Sequence, residues 1–400
     1  MQNLSTEVKS GNIQQIVVAV TNDLATDQRV DRSCRALAEA GYGVLLVGRR
    51  LKESPGLTPR PYCVARMRLV FRRSAAFYAE YNLRLFLRLL FSRADAFYAN
   101  DADTLLACCM AARLRNRKLF FDAHELFPDV PELVGKPRIQ AVWRQVERRC
   151  LPYVDSAITV CQSLADEYGR RYGIKMAVVR NLPSLQANPT MQPQSSQPVI
   201  LYQGAVNVGR GVRELIDVMN LLPGCRLIVA GNGDLLEQLK HYAAAKSWSN
   251  RIEFLGRIAP DDLRILTQKA DVGTCLLEDL GLSYHYALPN RIGDMAQAGV
   301  PIVATGFPEI RRIVESYSIG TLVAACPSEK EGQAYETFLQ ELAAAINNTL
   351  LYWQQLSPDE RRSRFSQAHR DLCWENEKIA FLKAVEELSK SKNGSTESTS

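Results

Sequence analysis

Short, mainly apolar runs recur along this chain, and their spacing is what most restricts its fold. Residues 16–20, 44–47, 97–99, 119–121, 157–160 and 177–179 form one series; residues 199–202, 227–230, 252–255, 271–276 and 302–304 form a second. Runs this short and continuous, such as 16–20, suit strands covered on both faces, as in a parallel sheet. Helical periodicity fills the gaps. Val30, Cys34, Leu37 and Ala38 share one face after the polar loop 21–27, and Gly41 closes that helix. Two blocks of strand–helix alternation predict two α/β domains, each with a parallel sheet. Between the blocks, residues 184–198 hold three prolines, four glutamines and three serines, the composition of a linker.

The predicted boundaries are therefore 1–183 for a first Rossmann-like domain, 184–198 for the linker and 199–374 for a second. A last apolar-faced helix follows over 375–388, and a polar, disordered tail over 389–400. A chain of 400 residues with 46% hydrophobic and 23% charged residues can build two cores. A formal charge of +6 is mild for this length and gives no reason to expect nucleic acid as a partner. The ten cysteines show no CxxC pair and no zinc spacing, so they read as buried, reduced thiols of a cytoplasmic protein. The polar amino terminus does not read as a secretory signal, and no run of about 18 apolar residues predicts a transmembrane helix.

Polar residues just past strand ends are the candidate sites. The loop 21–27 has no glycine, which disfavours a dinucleotide-binding dehydrogenase. Asp122, His124 and Glu125 follow the run 119–121, and the place of His124, one of four histidines, between two carboxylates marks it as functional. Asp101 and Asp103 form a DxD pattern that either holds a divalent cation or, as we read it with Thr104, caps the following helix. Residues 60–93 carry eight arginines, one acid and interleaved aromatics. They form either a basic surface for anionic lipid or a phosphorylated lipid acceptor, or a core helix with a solvated basic face.

In the second block, Gly204 opens a glycine-bearing turn in which Arg210 and Gly211 precede a helix, a setting for a diphosphate. Residues 286–310 then read as loop, helix, tight turn and strand. Asn290 stands at the cap of the helix, Gly299 at its left-handed end, and Pro301 before the strand. Asp294, one turn into the helix, either binds a vicinal diol or only complements the helix dipole.

Leu288, Pro289, Asn290, Arg291, Asp294, Ala298, Gly299 and Pro301, with Asp122-Ala123-His124-Glu125 and Arg210-Gly211, resemble the group 1, family 4-like retaining glycosyltransferases. The resemblance implies the GT-B fold: two Rossmann-like domains with parallel sheets facing across a cleft, and a carboxyl-terminal helix crossing back to the first. It implies a nucleotide diphosphate sugar as donor, a glycan or lipid-linked acceptor, no cofactor and no metal. It also implies retention of anomeric configuration and a role in surface polysaccharide or glycoconjugate synthesis, with peripheral contact to the inner membrane. Arg210 and Arg291 would face the diphosphate. Gly204, Gly211, Gly233, Arg257, Ile258, Leu288, Pro289, Asn290 and Asp294 would border the donor; His124, with Asp122 and Glu125, would stand on the acceptor side. The chain departs from the pattern at Ala205, in place of an arginine, at Tyr286, in place of a glutamate, and at Gly293, in place of a phenylalanine. A non-catalytic binding partner and a nucleotide-sugar epimerase are the competing readings.

Overall fold

The computed structural model describes residues 13–25, 27–52, 54, 56–186 and 197–390. Two all-parallel sheets form. The first contains β1 (Gln15–Asp23), β2 (Gly43–Arg49), β3 (Cys63–Met67), β4 (Ala96–Asn100), β5 (Lys118–Ala123), β6 (Ser156–Thr159) and β7 (Ala177–Val178), in the order β3-β2-β1-β4-β5-β6-β7. The second contains β8 (Val199–Gln203), β9 (Arg226–Ala230), β10 (Ile252–Gly256), β11 (Val272–Cys275), β12 (Ile302–Thr305) and β13 (Gly320–Val323), in the order β10-β9-β8-β11-β12-β13. Chain direction across each sheet reverses beside its first strand, at β1/β4 and at β8/β11. The loops leaving the carboxyl ends of β1 and β4, and those of β8 and β11, diverge there and leave a crevice, the usual ligand position in open α/β sheets.

Most of the apolar runs became central strands, while 177–179 and 252–255 became the edge strands β7 and β10. Val18, Ala19, Phe97, Phe121, Ile200 and Leu201 are fully buried, and each large side chain contributes about 1.5–3 kcal/mol by leaving water. The edge strands β3 and β13 went unread: neither has a fully buried residue, and Arg66 and Thr321 interrupt their short apolar sequences. Among the described cysteines none is in a disulfide; nine are buried and Cys63 is exposed, against the expectation of burial throughout.

The last helix, Trp374–Glu386, crosses back to the first domain. Phe381 packs 6.2 Å from the Tyr98 ring and 6.3 Å from Phe120. The Ser156 hydroxyl donates to the Ala384 carbonyl at 2.7 Å, and Arg180 pairs with Glu377 at 2.6 Å. The single turn Glu387–Ser389 follows with Leu388 buried, so Ser389 belongs to the fold and not to the tail. Residues 1–12 and 391–400, and most of the predicted linker, lie outside the described residues.

The two domains touch directly. Ser163 donates its backbone N–H and hydroxyl to Glu309 at 2.8 and 2.6 Å, and the Cys161 thiol meets the Tyr286 carbonyl at 3.2 Å. Among the described residues no helix is long and apolar enough to cross a membrane.

Candidate active site in the interdomain cleft

The carboxyl ends of both sheets face a cleft of about 780 Å³. From the second domain, Gly204, Arg210, Leu288, Pro289, Asn290, Arg291 and Asp294 line it. Gly204 has φ +132, a conformation that favours glycine, and the Arg291 guanidinium lies 3.3 Å from where a Cβ there would stand. The helix Arg291–Ala298 therefore brings its first residue against the end of β8, beside Ala205.

Both guanidinium groups lie on aromatic faces. Arg291 sits 4.5 Å from the Tyr202 ring centroid and Arg210 sits 4.6 Å from that of Tyr284. Such stacking favours a cation and holds its plane. Nη1 of Arg291 and Nε of Arg210 are buried without a hydrogen-bond partner. A buried donor left unpaired costs about 1–3 kcal/mol, so an acceptor brought to these nitrogens gains that back. Asp294 accepts from the Gln203 amide at 2.9 Å, and burial pushes its carboxyl up to about 6. Asn290 holds the cap position in helical conformation and makes no side-chain cap bond; its side chain is not a cap.

Across the cleft, His124 and Glu125 follow β5 and line the same space. The His124 ring lies between two carboxylates, with Nδ1 3.1 Å from Asp101 and Nε2 3.3 Å from Asp122. Burial works against charge on the imidazole, but Asp101 and Asp122 outweigh it and raise its pKa to about 10. At neutral pH it is an imidazolium with no free lone pair. Nε2 is itself buried, turned towards Asp122. Asp122 does not face the cleft. It is fully buried under His124, paired with Arg29 at 2.7 Å and accepting from the Tyr98 hydroxyl at 2.8 Å. Burial disfavours its charge, but Arg29 and His124 hold its carboxyl well below the usual range.

The DxD pair is neither a cap nor a shared ligand set. Asp101 precedes the helix Ala102–Arg115 with φ +59 and no side-chain cap bond, and its carboxylate accepts the His124 backbone N–H at 2.8 Å. Holding a non-glycine residue there costs about 1–3 kcal/mol, strain stored where it orients the histidine. Asp103 turns the other way and accepts from the Thr21 hydroxyl at 2.5 Å; burial pushes its carboxyl up to about 8. Among the described residues no group of three His, Cys, Asp or Glu side chains is placed to hold a metal ion.

The profile of Glycosyltransferase Family 4 matches residues 27–183, and that of Glycosyl transferases group 1 matches residues 189–348. The chain belongs to the group 1 glycosyltransferases. Over 135 residues this glycosyltransferase is 24% identical to the alpha-monoglucosyldiacylglycerol synthase of Streptococcus pneumoniae, a match spanning 32% of this chain and only 29% of that protein. Its GT-B fold is that of the sucrose-phosphate synthase of Thermosynechococcus elongatus, with TM-score 0.71, 16% identity and coverage of 94% and 99% of the two chains. It is likewise that of HepE from Anabaena in complex with UDP-glucose, with TM-score 0.70, 15% identity and coverage of 93% and 99%. At these identities the likeness establishes architecture.

Several residues expected at the glycosyltransferase's donor site do not line the cleft. Gly211 (φ +71) lies where a Cβ would strike that of Leu276 at 2.3 Å, so it shapes the turn that carries Arg210. A Cβ on Gly233 would meet the Val206 carbonyl at 2.4 Å, so this glycine admits the neighbouring loop. Arg257 is exposed and Ile258 packs against the second core. Sequence reasoning missed Arg29, Arg32, Asn181 and Gln203, all of which line the cleft. The arginines carried one legible signal, an i, i+3 spacing at the start of a helix that follows a strand end.

Proposed function

We propose that this glycosyltransferase transfers a sugar from a nucleotide diphosphate sugar to a glycan or lipid-linked acceptor, with retention, in the synthesis of a surface polysaccharide or glycoconjugate. The carrying observation is the pair Arg210 and Arg291: two ring-stacked guanidinium groups in one cleft, each with a buried unpartnered nitrogen. A diphosphate supplies acceptors for both. The structures of HepE with UDP-glucose and with UDP supply an analogy for the donor class.

The chemistry follows from this charge distribution. The bond from the anomeric carbon to the diphosphate oxygen breaks, and its electron pair goes to the diphosphate. Arg210 and Arg291 are already oriented there, so stabilising the new charge needs little reorganisation. The acceptor hydroxyl adds to the same face of the sugar, and its proton passes to the departing phosphate oxygen. The imidazolium of His124 cannot take that proton; it contributes positive charge at the cleft wall. Arg291 beside Ala205 stands in for the arginine that the family pattern has there. Asp294, which accepts from Gln203, is placed to accept from hydroxyls of the donor.

The test is a panel of nucleotide sugars, scored for release of nucleotide diphosphate and for product anomer by NMR. Release with an α product from an α-linked donor supports the reading, and inversion removes the retaining half. Binding without release makes the chain a binding partner. Conversion to an epimeric nucleotide sugar makes it an epimerase.

A further inference from the structure

A second cavity, about 320 Å³, opens beside the acceptor side of the cleft, and its charged lining is entirely basic. Parallel pairing of β2 with β3 aligns Arg49 with Met67, so Arg49-Arg50 leave one strand where Met67-Arg68 leave the next. Lys52 and Arg72 complete a ring of five cations over an apolar floor that includes Phe77. Among the described residues no carboxylate lines this space. Glu80, the one acid of residues 60–93, is committed elsewhere: it accepts the backbone N–H groups of Val70 and Phe71 at 2.9 and 2.8 Å and pairs with Arg84 at 2.8 Å. None of the five cations forms an ion pair with a described residue. Arg49 stacks 4.9 Å from the Phe77 ring, and its Nε is buried without a partner.

The cavity is not isolated. A further space of about 590 Å³ shares Arg49, Arg72 and Phe77 with it and reaches His124 and Glu125 at its other end. Like charges gathered without counterions repel one another, and a bound multivalent anion reverses the sign of that energy. The geometry points to an anionic acceptor subsite: the basic cavity holds a phosphate or diphosphate borne by the acceptor, while the acceptor's reacting hydroxyl lies at the His124 end of the connecting space. This inference rests on the glycosyl-transfer reading and adds the acceptor's charge to it. The phosphate has two sources, a lipid diphosphate or a phosphorylated sugar.

The experiment titrates the full chain by calorimetry with farnesyl diphosphate, with glucose 1-phosphate and with neutral farnesol. The wild type, Arg50→Gln/Arg68→Gln and Arg210→Ala are compared. Arg50 and Arg68 are exposed, so the double variant should melt with the wild type. The expected result is at least tenfold weaker binding of one phosphorylated probe by the double variant, no comparable loss in Arg210→Ala, and no binding of farnesol. The probe that responds identifies the lipid or the sugar source. Equal affinity of wild type and double variant for both phosphorylated probes overturns the subsite, as does loss through Arg210→Ala alone. Binding to phosphatidylglycerol vesicles, but not phosphatidylcholine vesicles, that depends on Arg50 and Arg68 while neither soluble probe binds makes the patch a membrane surface and also overturns it. A failure of the donor reading appears separately, as nucleotide diphosphate affinity indifferent to Arg210.

Discussion

Arg210 and Arg291 carry unsatisfied donors, and His124 carries a charge held between two carboxylates. Arg210→Ala should weaken nucleotide diphosphate binding by about 1.5–3 kcal/mol, the range for a hydrogen bond to a charged group, as measured by calorimetry. The His124 imidazole, raised to about 10 from an unfolded value near 6.5, adds stability that is fully present below about pH 6.5 and disappears as pH rises through about 10. An NMR titration should find the ring protonated at neutrality, and Asp101→Asn should lower its pKa. His124→Ala should slow turnover about tenfold, close to 1.4 kcal/mol on the barrier, with nucleotide diphosphate affinity unchanged because the other domain holds the nucleotide. Asp101 is engaged by His124, and Asp103 sits near pKa 8 against Thr21, so neither is free for a divalent cation. Activity should accordingly survive EDTA; loss restored by manganese would reinstate the DxD reading.

The helix Arg291–Ala298 explains a departure from the family pattern. A Cβ on Gly293 would stand 2.8 Å from Pro183 Cδ and 2.9 Å from Leu182 Cδ2, in the segment where the chain leaves the first domain. Phenylalanine does not fit there without moving that segment. Gly293→Ala should destabilise the protein by about 1–3 kcal/mol through overpacking, read as a lower urea midpoint. Residues 60–93 do not form one helix: Arg66 lies on β3 and only Arg84 and Arg88 on the helix Ser74–Leu90, whose Phe77, Tyr81, Leu85 and Leu89 enter the first core while Leu83 and Leu87 stay exposed. The helix's buried face makes it structural; the vesicle comparison concerns Arg50 and Arg68, which lie off this helix.

Over the whole molecule, the crossover helix ties the carboxyl terminus to the sheet that carries His124. Phe381 is fully buried between Tyr98 and Phe120, so Phe381→Ala should cost about 3–5 kcal/mol. The loss should fall on the first domain although the mutation is distant from it in sequence. Hydrogen exchange should show β4 and β5 opening earlier and β8 to β12 unchanged; uniform loss across both sheets would mean that the domains unfold as one unit.

The apolar runs determined the two parallel sheets, because a strand buried on both faces must be apolar along its length. The glycine, proline and asparagine grammar of residues 286–310 placed the helix Arg291–Ala298 and its left-handed end at Gly299, because those conformations are local. The edge strands β3 and β13 left no such trace. The candidate site was legible where polar residues follow a strand end, as at His124, or stand at a helix start, as at Arg210 and Arg291. Which groups share a proton or a charge was not legible. Asp101 lies 23 residues from the His124 it orients, and Arg29 lies 93 residues from the Asp122 it neutralises. Sequence pattern records local conformation and burial period. Electrostatic partnership depends on separation in space, and only the packing of β1, β4 and β5 side by side brought those groups within a few ångströms.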